Sequence, residues 1–383
     1  KPSAVGEFKF QDGNIDASAV GGKYYQRLDL RHNPEFTLFV EWSLLEDDSI
    51  RCRCFVNQTE CVHRDAASEH RELTEAAYFL LLGLLSNMES VSLGRVFKTG
   101  SPALSIFRLV DEMPKKMNSF VIDETLLSSC ENFLHRPATF AEENPFNNSA
   151  FLSRLSNLEV LRMDCLQMGG SISPEIGKLV KLRSLSLEGN SFRGEIPVEI
   201  KYLTNLNALS LGHNDLTGDI PAVFENLTNL IWLNLGLNTL TGAVPAGIGR
   251  LLKLKRLSLS GNQLGGTLSW LSPLTQLNRL ELRQNLFNGS VPSTIAKMVH
   301  LQRLTLSNNR LSGPILKIIG TLTRLRVLRL GGNSFTGAIP AEMGNLKYLD
   351  ELQLQNNCFS GPVPLSLLNL SLGDSGVLLL YGN

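Results

Sequence analysis

Apolar residues in the last three fifths or so of the chain recur on a period rather than in runs. Leu158, Leu182, Leu206, Leu230, Leu254, Leu277, Leu301, Leu325 and Leu349 each open the pattern LxxLxL, with Met163 as the last apolar residue of the first copy. The step is 24 residues throughout, except for one of 23 between Leu254 and Leu277. Alternation within each copy predicts a short strand that turns its leucines to one face and its polar residues to the other. A fixed period of this length predicts a solenoid in which each copy packs only on its neighbours. Such a chain works through a surface, so the positions that the period leaves variable carry the information.

Two further positions recur with the leucines. An Asn stands at 190, 214, 238, 262, 285, 309, 333 and 357, and a Gly at 194, 218, 242, 266, 289, 313, 337 and 361. An amide carries donors and an acceptor, so a buried Asn can satisfy backbone groups where the chain leaves the strand. Ile or Val followed by Pro closes most copies, as in Ile196-Pro197 and Val363-Pro364. Over residues 158–383 this resembles the plant-type leucine-rich repeat, LxxLxLxxNxLxGxIPxxLxxLxx. The resemblance implies an α/β fold: a right-handed leucine-rich-repeat solenoid with a concave parallel β-sheet. Departures occur at Leu166, which replaces the Asn of the first copy, and at Ser269 and Leu316, which replace Pro.

The region before the repeats has another pattern. Residues 1–70 alternate as strands do, in GEFKF, YYQRLDL, FTLFVEWSL and SIRCRCFV, and predict a β-rich N-terminal cap domain. Residues 71–157 predict one buried helix, Glu72 to Leu85, followed by irregular strands. Met88 to Leu93 and Met117 to Ile122 repeat the LxxLxL spacing and are expected as degenerate leading repeats, with a separate domain as the alternative. Residues 158–383 hold nine repeats and the start of a tenth. The pattern reaches Asn383 without a polar closing segment. The expectation is that another chain covers that edge, or that sequence beyond residue 383 continues the coil and supplies self-assembly or membrane anchoring.

Charge and cysteine narrow the class. The 36 basic and 36 acidic residues balance, but residues 1–157 hold 16 Lys and Arg against 22 Asp and Glu, whereas residues 158–383 hold 20 against 14. That bias is too small to argue for nucleic acid. The longest apolar run, Tyr78 to Leu85, is too short to span a bilayer. Sequons for N-linked glycans stand at Asn57, Asn147, Asn226, Asn288 and Asn369, none of them expected on a strand. Cys52, Cys54, Cys61, Cys130 and Cys165 are disulfide candidates, of open connectivity. Both features predict a secreted or cell-surface protein. The spacing of Cys52, Cys54, Cys61 and His63 matches no standard zinc pattern, so neither metal nor cofactor is expected.

Chemistry is expected on the concave face. Aligned copies place Arg256, Arg279 and Arg303 in one row, flanked by Lys255, Arg283, Arg326 and Arg329, with Trp232 beside them next to Ile231 and Leu237. Three like charges in register repel by under about 1 kcal/mol per neighbouring pair at solvent dielectric. An anionic ligand such as a peptide carboxylate, a sulfate or a uronic acid would relieve that repulsion, and Trp232 would supply an aromatic anchor. The plainer reading is a solvated row tempered by Glu281. Six His show no nucleophile-elbow, zinc or P-loop context, and only His213 is expected on a concave strand.

The reading is a non-catalytic extracellular recognition protein that binds a protein or peptide. The resemblance implies the receptor-ectodomain or receptor-like class, with polygalacturonase-inhibitor-type proteins as relatives. One alternative is a structural subunit of an extracellular wall, matrix or filament. Another is a carbohydrate-binding or hydrolytic first domain displayed on the repeats.

Overall fold

The computed structural model describes residues 152, 155–165, 168–370 and 377–383 and, within the first 150 residues, the backbone of seven strands. Each LxxLxL segment forms one strand: Val160–Asp164, Ser184–Ser186, Ala208–Ser210, Trp232–Asn234, Arg256–Ser258, Arg279–Glu281, Arg303–Thr305, Val327–Arg329, Glu351–Gln353 and Val377–Leu379. They pair in parallel, each with the next copy, in one sheet. Register is locked because Leu185, Leu209, Leu233, Leu257, Leu280 and Leu304 stand opposite one another in turn. A slip by one residue would turn every leucine of a strand to solvent. The three leucines of each copy from Leu182 to Leu354 are at most 2% exposed and form one continuous core.

The ladder Asn explains how the chain leaves the strand without orphaning its backbone. Asn214 donates through Nδ2 to the carbonyls of Leu187 (3.0 Å), Leu211 (3.1 Å) and Gly212 (3.1 Å), and its Oδ1 accepts from the Phe192 amide at 3.0 Å. One side chain thus ties two coils together. Asn383 continues the series by accepting from the Asn357 amide at 3.1 Å. Four residues beyond Asn214, Gly218 takes φ +73°, a left-handed conformation that a side chain resists.

The return path is short. Pro197, with φ −65°, precedes the 3-10 turn Val198–Tyr202, which buries Ile200 and Leu203 against the core. The same arrangement recurs at Ala246–Arg250 and Ala341–Asn345. Between strand and turn, short segments pair in parallel as a second, discontinuous sheet, including Ser191–Gly194, Arg310–Pro314 and Ser334–Gly337. Large side chains fill the space between layers, with Phe192, Phe224, Phe287 and Phe335 fully buried.

The 23-residue step falls in the return path and leaves the concave sheet intact. Arg256 still opposes Arg279, and Ser258 opposes Glu281, while the 3-10 turn shortens to Ser269–Leu271 and buries Trp270.

Ahead of the regular copies, the strands Ser90–Gly94 and Ser119–Asp123 pair in parallel with each other, and the second pairs with Val160–Asp164 in the same sheet. The strands between Ala19 and Cys61 form a separate five-stranded antiparallel sheet. The expected helix from Glu72 to Leu85 lies outside the described residues, as does Leu166. One expectation is corrected here. Asn288 lies on a strand, Asn288–Gly289, because the second sheet claims positions that the leucine period alone leaves as loop. It is exposed and away from the concave face.

Candidate concave-face site

Side chains at the non-leucine positions of each strand project from the concave sheet in rows that cross the repeats. The row through the second variable position runs Ser184, Ala208, Trp232, Arg256, Arg279, Arg303, Val327 and Glu351, each opposite the next. With strands about 4.8 Å apart, the three arginines stand shoulder to shoulder beside Trp232.

The structure divides the seven expected cations into two groups. Arg329 makes paired hydrogen bonds of 2.8 Å with both Glu351 oxygens, Arg326 lies 3.5 Å from Asp350, and Arg303 lies 3.7 Å from Glu281. These three are neutralised by carboxylates on neighbouring strands, which corrects the expectation of one unrelieved stripe. The Glu351 hydrogen bonds also push the Arg329 guanidinium above its ordinary value. Lys255, Arg256, Arg279 and Arg283 are exposed and, among the described residues, form no ion pair.

Apolar surface adjoins these four. Trp232 is half-buried, and Ile231 and Leu237 are each 39% exposed. Leu237 also holds φ +55°, a region that costs an L-residue with a side chain about 1–2 kcal/mol. Equivalent turn positions carry Cys165, Gly189, Gly261, Gln284, Asn308, Gly332 and Asn356, all at positive φ, so the left-handed turn belongs to the repeat. The Leu237 side chain lies over Gly261 of the next copy and leaves part of its apolar surface open beside Trp232. His213 occupies the same kind of turn, at φ +53°, rather than the concave strand where it was expected.

The earlier repeats carry a different polar surface that the leucine period did not reveal. Asp164, 3% exposed, accepts from Ser186 Oγ at 2.6 Å, from the Glu188 amide at 2.9 Å and from Arg162 Nε at 2.6 Å. Burial raises its carboxyl above the ordinary aspartate value, against the lowering pull of those three partners. Glu188 in turn accepts from Ser210 Oγ at 2.6 Å and from Asn234 Nδ2 at 3.2 Å. Aligning the residue after the third apolar position of each copy would have found both acids.

Along that same row the later repeats place Ser260, Arg283 and Ser307. Backbone hydrogen bonds from Gly261 to the Arg283 carbonyl and from Gln284 to the Ser307 carbonyl keep the three in register. Ser260 and Ser307 are 7% and 8% exposed, and neither hydroxyl has a hydrogen-bond partner among the described residues. Sequence reasoning named Arg283 and missed both serines.

Of the disulfide candidates, Cys165 is disulfide-bonded, whereas the side chains of Cys52, Cys54, Cys61 and Cys130 lie outside the described residues. Asn226 is exposed at the end of the 3-10 turn Ala222–Asn226, and Asn369 ends the equivalent turn Leu365–Asn369. Asn57 and Asn147 are outside the described residues.

Comparison with known proteins agrees with this geometry. The family model for a leucine-rich repeat region matches residues 138–286, and the model for a single leucine-rich repeat matches residues 300–322 and 324–346. The crystal structure of a TDR receptor is similar at 35% identity and a TM-score of 0.56, over 60% of this chain and 40% of that one. A second similar structure is the ectodomain of the plant membrane receptor kinase GASSHO1/SCHENGEN3 from Arabidopsis thaliana, in complex with CASPARIAN STRIP INTEGRITY FACTOR 2. It shares 27% identity at a TM-score of 0.55, over 76% of this chain and 34% of that one. The plant peptide hormone receptor RGFR1 in complex with RGF2, at 23% identity and a TM-score of 0.50 over 77% and 50%, shares the fold. The chain thus spans less than half the length of the first two. No curated protein matches the sequence.

Proposed function

Because the chain is a plant-type leucine-rich-repeat protein, we propose that it is a non-catalytic extracellular recognition protein that binds an anionic peptide on its concave face. The carrying observation is the set of four exposed, unpaired cations beside Trp232. Every other cation of the expected stripe has a carboxylate on an adjacent strand, so pairing is available in this fold and these four go without it. Guanidinium groups receive carboxylates through two parallel hydrogen bonds, and an indole adds an anchor of large contact area. Two of the similar structures hold a named partner, a CASPARIAN STRIP INTEGRITY FACTOR in one and RGF2 in the other, which supports a peptide or protein as the class of ligand.

An extracellular setting is supported by the disulfide at Cys165 and by sequons at Asn226 and Asn288 that leave the concave face clear. Oxidising compartments preserve such bonds, and glycans on the flanks would not obstruct a ligand crossing the strands.

Selection of a random dodecapeptide library on the folded, glycosylated chain tests the reading. Acidic peptides should enrich on the wild type and be lost on the double variant Arg256→Gln/Arg279→Gln. Capture of polygalacturonate in place of peptides would keep the anion surface and replace the ligand class. Failure to enrich any peptide, together with a large homogeneous assembly by light scattering, would turn the reading into a structural subunit.

A further inference from the structure

From the row that runs through Asp164 and Glu188, we infer that Ser260, Arg283 and Ser307 form a discrete carboxylate subsite, one that takes an acidic side chain of the peptide; this rests on the peptide-binding reading above. The molecule contains its own template for such a site. At Asp164 a carboxylate is held by a serine hydroxyl at 2.6 Å, an arginine Nε at 2.6 Å and a backbone amide at 2.9 Å. In the later repeats the same row presents hydroxyl, guanidinium and hydroxyl on three successive copies, just past their strands, with no carboxylate among them.

The donors are unspent. Arg283 is exposed and unpaired among the described residues, and the hydroxyls of Ser260 and Ser307 are buried without a partner. A buried hydroxyl without a partner destabilises the fold, and alanine at the same place would not. All three stand two residues past their strands, in the alternation phase of Ser258, Glu281 and Thr305 and opposite to that of the core leucines Leu259, Leu282 and Leu306. The neighbouring copies carry Gly236 and Gly331 in this row; Gly236 leaves one side without a side chain, whereas the Gln355 side chain lies over Gly331 and bounds the other. Both hydroxyls are covered in the free protein, so an incoming carboxylate has to displace neighbouring side chains, and among the described residues no ion pair holds Arg283 in place.

The subsite is distinct from the row of Arg256 and Arg279, which lies nearer the start of each strand. One acidic residue of the ligand is therefore read by Arg283, whatever else the Arg256 row binds.

The test compares the peptides selected on the wild type with copies in which each Asp or Glu is changed singly to Asn or Gln. At one position the acid should be preferred over the amide by about tenfold or more, a preference that Arg283→Gln removes. The double variant Ser260→Ala/Ser307→Ala supplies a readout of opposite sign. It should lower that preference while raising the Tm of the free protein by a few degrees, because it deletes two orphaned polar groups. An acid preference that Arg283→Gln leaves untouched overturns the subsite and leaves peptide binding standing. A fall in Tm for the serine double variant also overturns it, since the hydroxyls would then serve the fold. Absence of any selected peptide removes both the subsite and the function it rests on.

Discussion

Two regions of the concave face, the copies that open at Leu158 and Leu182 and those that open at Leu254 and Leu277, are built on one scaffold and treat polar groups in opposite ways. In the earlier repeats Asp164 is held by Ser186 and Arg162, and Glu188 by Ser210 of the next copy and Asn234 of the copy after that. In the copies that open at Leu254 and Leu277, Lys255, Arg256, Arg279 and Arg283 stand exposed and, among the described residues, unpaired, and the hydroxyls of Ser260 there and of Ser307 in the copy after are unused. Leucine core, Asn ladder and strand register run through both regions, so the scaffold does not force the difference. A closed polar network stabilises the fold, whereas an open set of like charges contributes nothing to it and is free to bind.

The sharpest way to break this contrast is to disturb each region and compare the losses. Asp164→Ala leaves the buried Ser186 hydroxyl and the Glu188 backbone amide without their acceptor, and should lower stability by about 2–3 kcal/mol in denaturant titration. Arg256→Gln/Arg279→Gln removes exposed, mutually repelling charges, and should change stability by no more than about 0.5 kcal/mol. Equal losses in both regions would erase the distinction.

A smaller effect concerns Leu237 at φ +55°. Replacing it by Asn, the residue at the equivalent positions 308 and 356, should raise stability by about 1 kcal/mol and weaken peptide binding. Stabilisation with unchanged affinity would remove Leu237 from the site.

The pH response separates the regions further. The Asp164 carboxyl is raised above its ordinary value, so the folded state holds that proton more tightly than the unfolded chain does. Stability from this group is therefore lowest at neutral pH, rises as pH falls through the folded value, and levels off below the unfolded value of 3.8. The Tm of the wild type relative to Asp164→Asn should climb over that acidic window, and a difference that is flat or falls with acidification would contradict the assignment. The smallest change expected is that of salt on the free protein: raising ionic strength from about 0.05 M to about 0.5 M should weaken peptide binding clearly while Tm stays nearly constant.

Much of this was legible in the residues. The period fixed the strands, the Asn and Gly positions explained the turns, and counting along the copies placed Arg256, Arg279 and Arg303 opposite one another. Which cations stay unpaired was not legible, because pairing depends on neighbours across strands: Asp350 and Glu351 reach Arg326 and Arg329 one copy back. Ser260 and Ser307 were passed over because a serine in a variable position carries no signal until its burial is known. Asn288 was misplaced for a related reason, since the second sheet obeys backbone pairing rather than the leucine period.

The most direct test of the account is a matched neutralisation in the two regions. Arg183, paired with Glu159 at 2.8 Å in the earlier repeats, serves as the control for Arg256 and Arg279. Affinity of a selected acidic peptide would be measured by calorimetry for Arg183→Gln and for Arg256→Gln/Arg279→Gln. The account predicts a loss on the order of 100-fold for the double variant and almost none for Arg183→Gln. Equal losses, or a loss confined to Arg183→Gln, would contradict it.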